Sequence, residues 1–474
     1  MMRGLKAYIP FGKRPAITEH KTDSLRQEVI RLGLPAVGER ILGLMVNLVN
    51  TMLVGHLGAA ALAAVGLSGT IEMIGTTFFQ AVAVGATALI SQSIGAKNHP
   101  LAQKVLEQAM LVAVGMGVIS TALLLPFSRG ALIVLGAEPD TVALGVRYLP
   151  YLAGSQLMIS VLTVGNATLR GAGDTQTPMY LMGAMNVINA ILSLVLIRGA
   201  GPIAPMGVTG AGVAAGVSRT LAGLAMIVLL RSGRARMHLP RLLSPPDGDT
   251  LRSLLDVGLP AGGESLLMRF AFLSYTRAIA SLGTVAYAAH VIAQRVESLT
   301  MMPAFGFAVA ATTLAGQALG AGDTDRARKS VFRSIEIATG FSSIGTILFI
   351  AYPRVMLSLF TNDVAVIETG ILPLQILALS QPFLTTASCL SGGLRGAGDT
   401  RSVMWVTGIG AWFVRVPIAV LSVTLLGLGL PGVQASMTLD WAARMSLLWW
   451  RFRPSTWQNR ADKATAAIRA SAAE

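Results

Sequence analysis

The stretch Leu169–Thr175, L-R-G-A-G-D-T, returns letter for letter at Leu394–Thr400, a shift of 394 − 169 = 225 residues. The shift holds far from the heptapeptide. Pro35 meets Pro260, Glu39 meets Glu264, Leu57-Gly58 meets Leu282-Gly283, and Glu72 meets Glu297. Gln92 meets Gln317, Lys104 meets Lys329, Gly207-Val208 meets Gly432-Val433, and Arg219 meets Arg444. One gapless offset over this distance marks two copies of one structural unit. Within each copy the heptapeptide reads as a helix-to-helix joint. Its glycines (171 and 173, 396 and 398) supply the left-handed conformations that a short turn needs. Asp174 or Thr175, and Asp399 or Thr400, can then cap the following helix. Arg170 and Arg395 suit the last carbonyls of the preceding helix or anionic headgroups.

Composition places the unit in a bilayer. Of 474 residues, 13% are charged and 53% hydrophobic, against about a quarter charged in soluble chains. Mean hydropathy is +0.63, and 51 glycines suit close helix packing in lipid. The single cysteine, Cys389, excludes an internal disulfide. A net charge of +14 could suggest nucleic acid, but the basic residues cluster between apolar runs, and no nucleic-acid partner is expected. Residues 1–28 are polar and basic without the apolar core of a cleavable signal, and read as a cytosolic tail.

Apolar runs long enough to span fall near 29–54, 62–92, 104–126, 144–168, 178–198 and 207–230. The second set falls near 255–280, 286–316, 330–352, 367–393, 403–426 and 432–450. The expected architecture is an all-α polytopic membrane protein of twelve transmembrane helices. Its two six-helix halves are 29–230 and 255–453, joined by a cytosolic linker at 231–254 and followed by a cytosolic tail at 454–474. Lys97, Lys104, Arg170, Arg231, Arg326, Lys329, Arg395 and Arg451, with the basic tails, gather on one side. The positive-inside rule then places both termini in the cytosol, in the plasma (inner) membrane. Six crossings per half make the repeat parallel, with a pseudo-two-fold along the membrane normal.

Ionisable groups inside spans are costly and are functional candidates by default. Glu39, Gly43, Asn47 and Asn50 share one face of the first helix by the 3.6-residue period. The matching face of the seventh is Glu264, Met268, Phe272 and Tyr275. A carboxylate with amides can hold a proton or Na⁺, whereas Met and aromatics suit an adaptable apolar substrate. The bland alternative is that Glu39 and Glu264 pair with basic residues such as Arg40 or Arg269 to fix packing. His290, Gln294 and Glu297 share a face of the eighth helix, and His titrates near neutral pH. Glu72, the counterpart of Glu297, has Gln80 two turns on and could face the same cavity. Asn166 and Gln381 are further cavity candidates, and Asp440 and Arg444 are spaced for an intrahelical pair.

The whole pattern resembles the multidrug and toxic compound extrusion (MATE) family of cation-coupled exporters. The resemblance covers about 29–453 and rests on several stretches. They are the paired turns, V-N-T-M-L-V-G-H-L-G at Val49–Gly58, A-A-H-V-I-A-Q-R-V-E-S-L at Ala288–Leu299, M-P-A-F-G-F-A-V-A at Met302–Ala310 and G-Q-A-L-G-A-G at Gly316–Gly322. It implies H⁺- or Na⁺-coupled antiport of amphipathic, often cationic organic molecules, with membrane lipids as surroundings and no organic cofactor. It also implies coupling residues among Glu39, Glu264, Glu297, His290 and Asn50, and any Na⁺ near Glu264. The expected cavity residues are Asn47, Met268, Phe272, Tyr275, Gln294, Glu72, Asn166 and Gln381. Many relatives carry aspartate where this chain has Asn50, which cannot ionise. Glu264, four residues after a helix-opening proline, matches a pattern common in the family. A monomer is expected. The alternatives are a flippase for a lipid-linked precursor and, further off, a membrane-embedded enzyme. The chain shows no H-E-x-x-H, Gly-rich phosphate loop or serine-nucleophile motif.

Overall fold

The computed structural model describes residues 22–199, 204–233, 235–242 and 244–453, apart from the side chains of residues 22, 23 and 47. Both basic tails beyond these limits, Arg234 and the Asn47 side chain therefore lie outside the described residues. The helices of the first half are α1 (Thr22–Gly55), α2 (Ala59–Gly95), α3 (His99–Val134), α4 (Pro139–Gly154), α5 (Gln156–Gly171), α6 (Gln176–Arg198) and α7 (Gly207–Arg231). The second half has α8 (Gly248–Ala280), α9 (Thr284–Gly320), α10 (Thr324–Ala351), α11 (Pro353–Ser358) and α12 (Val364–Gly396). It ends with α13 (Thr400–Ile409), a π-helical turn Gly410–Arg415, α14 (Val416–Thr424) and α15 (Gly429–Arg451).

The repeat governs these boundaries. Starts and ends of α2 and α9 differ by the same 225 residues as the heptapeptides, and so do those of α12 and the α4–α5 pair. The copies differ where local sequence differs. α4 and α5 meet at a 48° bend just after Gly154, where α12 runs on. α6 is α-helical throughout, whereas its counterpart passes through the π turn before Pro417.

Among the described residues, nine helices are long and apolar enough to cross a membrane, ten if α4–α5 is one bent span. The two remaining members of a twelve-span bundle are α8 and α15, which carry Glu264, Arg269 and Arg277, and Asp440 and Arg444. At 33 and 23 residues they would reach about 50 and 35 Å at 1.5 Å per residue, enough for a core about 30 Å thick. Composition underrates them because Glu264, Asp440 and Arg444 are neutralised inside the protein.

At the end of the bundle that carries both heptapeptide turns, the opening helix of each half inserts into the other half. Val29, Leu32 and Val37 of α1 pack with Phe307, Leu314, Ala338 and Cys389 of the second half. Leu254 of α8, the counterpart of Val29, packs with Val82, Ala86, Ala113 and Val164 of the first. Glycines permit the closest approaches. A Cβ on Gly95 would lie 1.9 Å from the Gln317 carbonyl oxygen, and one on Gly320 would lie 1.9 Å from that of Gln92. Two reciprocal bonds tie the halves there: Gln92 Nε2 donates to the Gly396 carbonyl at 2.8 Å, and Gln317 Nε2 to that of Gly171 at 3.2 Å. The linker lies along α3, with Gln108 bonded to Pro245 and Asp247, and Lys104 paired with Asp247 at 2.9 Å.

Candidate functional site

Each heptapeptide turn is closed by its glycines, with Gly173 and Gly398 at φ +82° and +80°, values that a side chain would strain. Asp174 Oδ1 accepts from the Thr177 amide at 3.1 Å and Asp399 Oδ1 from the Ser402 amide at 3.3 Å, as capping residues do. The arginines do something other than the sequence suggests. Arg170 reaches Glu39 at 2.8 Å and Arg395 reaches Glu264 at 2.7 Å. The fixing pairs are therefore real, but the partners are these turn arginines and not Arg40 or Arg269. The joint and the buried acid of each half are one device, made twice. Glu264 also accepts from Thr407 Oγ1 at 3.0 Å.

The halves part company deeper in the bundle. In the first, Glu72 pairs with Arg219 at 2.6 Å. The counterparts in the second are Glu297 and Arg444, yet Arg444 is held by Asp440 through contacts of 2.6 and 2.8 Å. Arg415, delivered by the π turn, reaches the same carboxylate at 2.6 Å. Asp440 is fully buried, and its counterpart in the first half is Ala215. The extra acid captures the arginine and leaves Glu297 1% exposed without an ion pair among the described residues. Its described side-chain partner is Gln381, whose Nε2 donates to Oε1 at 3.4 Å while Oε1 of Gln381 accepts from Thr300 at 2.9 Å. Gly410 is obligatory beside this cluster, because a Cβ there would lie 2.2 Å from Asp440 Oδ1.

A cavity of about 410 Å³ opens at these groups, within the range of ligand pockets, about 300–1,000 Å³. Glu264, Met268, Phe272, Gln294 and Glu297, all expected from the sequence, line it. Met301, Phe305, Thr407, Met437, Trp441, Arg415 and Arg444 complete it. Half of the wall is Met and aromatic, with two acids and two guanidiniums that share the single carboxylate of Asp440. Met and aromatic side chains give a wall adaptable apolar contact, and its charged groups can orient what enters.

Other expected residues stand elsewhere. Tyr275 is buried away from the cavity, its hydroxyl donating to Gln434 Oε1 at 3.0 Å. Gln434 Nε2 lies 2.9 Å from His290 Nδ1, and His290 is buried with Nε2 unpartnered among the described residues. His290 thus joins a Tyr275–Gln434 ladder; of the α9 trio His290, Gln294 and Glu297, the last two line the cavity. Asn50, the counterpart of Tyr275, accepts from Ser193 Oγ at 3.3 Å. Asn166 is buried within the first half, with Oδ1 unpartnered among the described residues. Glu39 and Glu72 are held in their ion pairs, and Gln381 sits behind Glu297. The spacing of Asp440 and Arg444 foretold their pair, whereas sequence reasoning missed Trp441, Met437 and Arg415 on the same carboxylate. The signal was a subtraction: Asp440, Arg415 and His290 stand where the first half has Ala215, Ala190 and Val65.

Known proteins agree with this architecture. The MatE family model matches residues 35–195 and 260–421. The chain is 33% identical over 459 residues to a protein of Thermotoga maritima named "Probable multidrug resistance protein NorM", covering 96% of each. It is 28% identical over 433 residues to a protein of the same name from Rhizobium meliloti, covering 89% of this chain and 91% of that one. Among solved structures, the fold is similar to a MATE in complex with MaL6, with TM-score 0.85 and 24% identity over 93% of this chain and 97% of that one. It is also similar to the outward-facing conformation of a multidrug resistance MATE family transporter, with TM-score 0.84 and 24% identity over 94% and 99%. With a duplicated membrane bundle, a lined cavity in one half and these matches together, the chain belongs to the MatE family of transporters and is not an enzyme.

Proposed function

We propose that this chain is a secondary active exporter that moves amphipathic, often cationic organic compounds outward in exchange for H⁺, by alternating access between its halves. Substrate occupies the second-half cavity, and Glu297 is the coupling acid. One observation carries the reading: Glu297 is buried in that cavity without an ion pair among the described residues, whereas Glu72 is locked to Arg219. A carboxylate held this way can exchange a proton against a cationic substrate, which biases one conformation by differential affinity. Glu264 lines the same cavity and engages Arg395 and Thr407, so it serves as a second acid. The proton is favoured over Na⁺ because Gln381 turns an N–H toward Glu297, whereas a hard cation needs several oxygens.

The described basic residues at the turn end, among them Lys97, Lys104, Arg326, Lys329 and Arg401, support a cytosolic placement of that end and of both termini, in the plasma membrane. The cross-packed halves would then be closed toward the cytosol. The shared helix boundaries support a pseudo-two-fold along the membrane normal, and the exporter is taken to work as a monomer. The test is transport of a fluorescent lipophilic cation in liposomes under ΔpH and ΔNa⁺ imposed separately. ΔpH-driven movement that Glu297→Gln abolishes is expected. Movement driven by ΔNa⁺ alone would replace the proton with sodium, and wild-type movement in neither gradient would refute the exporter reading.

A further inference from the structure

A second cavity lies between the halves and belongs to neither. It is lined by Gln80, Ala83, Val84, Thr87 and Arg170 from the first half, and by Phe305, Ala308, Val309, Thr312 and Arg395 from the second. Every one of these is paired with its counterpart at the constant offset of 225, so the cavity sits on the axis of the repeat. Arg40 breaks the symmetry: it lines the cavity, and its counterpart Ser265 does not. Arg170 and Arg395 are engaged by Glu39 and Glu264. Arg40 is exposed and forms no ion pair among the described residues. Three guanidiniums against two carboxylates leave a net charge of 3 − 2 = +1 at the cavity. The space is about 120 Å³, room for roughly four waters at about 30 Å³ each. That admits one small anionic group.

We propose that this cavity binds a single oxyanion, a carboxylate or phosphate, with Arg40 as its principal ligand and the arginine pair of the two turns on either side. Guanidinium forks match oxyanions in shape as well as charge. The anion comes either from solution or as the charged end of an amphiphile whose tail lies in the cleft. The site also touches the transport cavity. Phe305 lines both, and Arg395 lines this cavity while holding Glu264, which lines the other. An anion here gives Arg395 a second partner and loosens its hold on Glu264. The site does not depend on the role given to Glu297, and Glu297→Gln is expected to leave it intact.

The experiment uses the full-length protein in phosphatidylcholine nanodiscs. Binding of dansylaminoundecanoate is compared with binding of its neutral amide, with inorganic phosphate as competitor. The carboxylate is expected to bind about tenfold more tightly than the amide, the size of one charge-assisted contact. Arg40→Gln should bring that ratio to about one, and moving the arginine across the axis in Arg40→Ser with Ser265→Arg should restore it. Amide affinity reports folding in each variant. Should Arg40→Gln fail to fold, Gln80→Glu, which adds a carboxylate to the same wall, is expected to abolish the preference. Displacement of the carboxylate by phosphate identifies a site that also takes a free anion. Dependence on Arg40 without displacement identifies one that takes only the amphiphile. Equal binding of carboxylate and amide, or a preference that survives both Arg40→Gln and Gln80→Glu, overturns the proposal.

Discussion

Replacing Asp440 with alanine gives the second half the residue that the first half has at the equivalent position, and it strands two arginines. Asp440 is fully buried and holds Arg415 at 2.6 Å and Arg444 at 2.6 and 2.8 Å. Removing one partner of a buried pair costs about 3–5 kcal/mol, because the charge left behind is uncompensated. Glu297 lines the same cavity as both arginines. Glu72 and Arg219, at 2.6 Å, show that the repeat geometry lets this acid reach this arginine. In Asp440→Ala, Glu297 should therefore take Arg444 and recover roughly 1.5–3 kcal/mol, the range for a hydrogen bond to a charged group. The net loss is then about 0–3.5 kcal/mol, and Glu297 is no longer available to exchange protons. The assay is a double-mutant cycle of Asp440→Ala with Glu297→Gln, read by reversible unfolding in mixed micelles, with ΔpH-driven transport alongside. A coupling of about 1.5–3 kcal/mol and lost transport in Asp440→Ala are expected. Single costs that add to within about 0.5 kcal/mol, or coupled transport in Asp440→Ala, would refute the exchange of partners.

Gly95→Ala places a Cβ 1.9 Å from the Gln317 carbonyl oxygen, so the halves should separate at the turn end. Spin-label distances across α2 and α9 would lengthen, and unchanged distances would contradict the packing described. Gly410→Ala, with its Cβ 2.2 Å from Asp440 Oδ1, should cost about 1–3 kcal/mol by overpacking. Gly183→Ala, whose nearest neighbour would be 3.5 Å away, should be tolerated, and thermal midpoints compare the two. Asp247 caps α8 and pairs with Lys104; hydrogen bonds from Thr250 and then Lys104 hold its carboxyl down at about 2 from a usual 3.8. A lowered carboxyl stabilises above its unfolded value and stops doing so as pH falls through its folded one. Asp247→Ala should therefore cost about 1 kcal/mol, unchanged from pH 8 to 4 and shrinking only as pH falls from about 4 toward 2. A difference that varies between pH 8 and 5 would show that another group is responsible.

Much of the architecture is legible in the sequence alone. The constant offset predicts two copies, hydropathy predicts helical spans, and the second helix of each half begins and ends in register with the other. The cavity face Glu264, Met268, Phe272 is visible as a helical stripe, because a 3.6-residue period fixes which side chains share a side. Tyr275 lies on that stripe and still leaves the cavity, since the neighbour it meets, Gln434, lies 159 residues away.

The chain by itself thus determined its duplication, its helices and which acids would be buried, all of which depend on local period and composition. Only the tertiary structure decided which arginine each acid meets. Glu39 and Arg170 are 131 residues apart; the helical period turns the adjacent Arg40 away from Glu39, but nothing local points to Arg170. The Asp440–Arg444 pair was legible as an i, i+4 spacing, but only the structure showed Arg415 joining it and Glu297 left without an ion pair among the described residues, because partner choice among buried charges depends on distance in space and on competition between neighbours. The same two halves, similar in sequence, therefore carry Glu72 locked to Arg219 and Glu297 without an ion pair among the described residues.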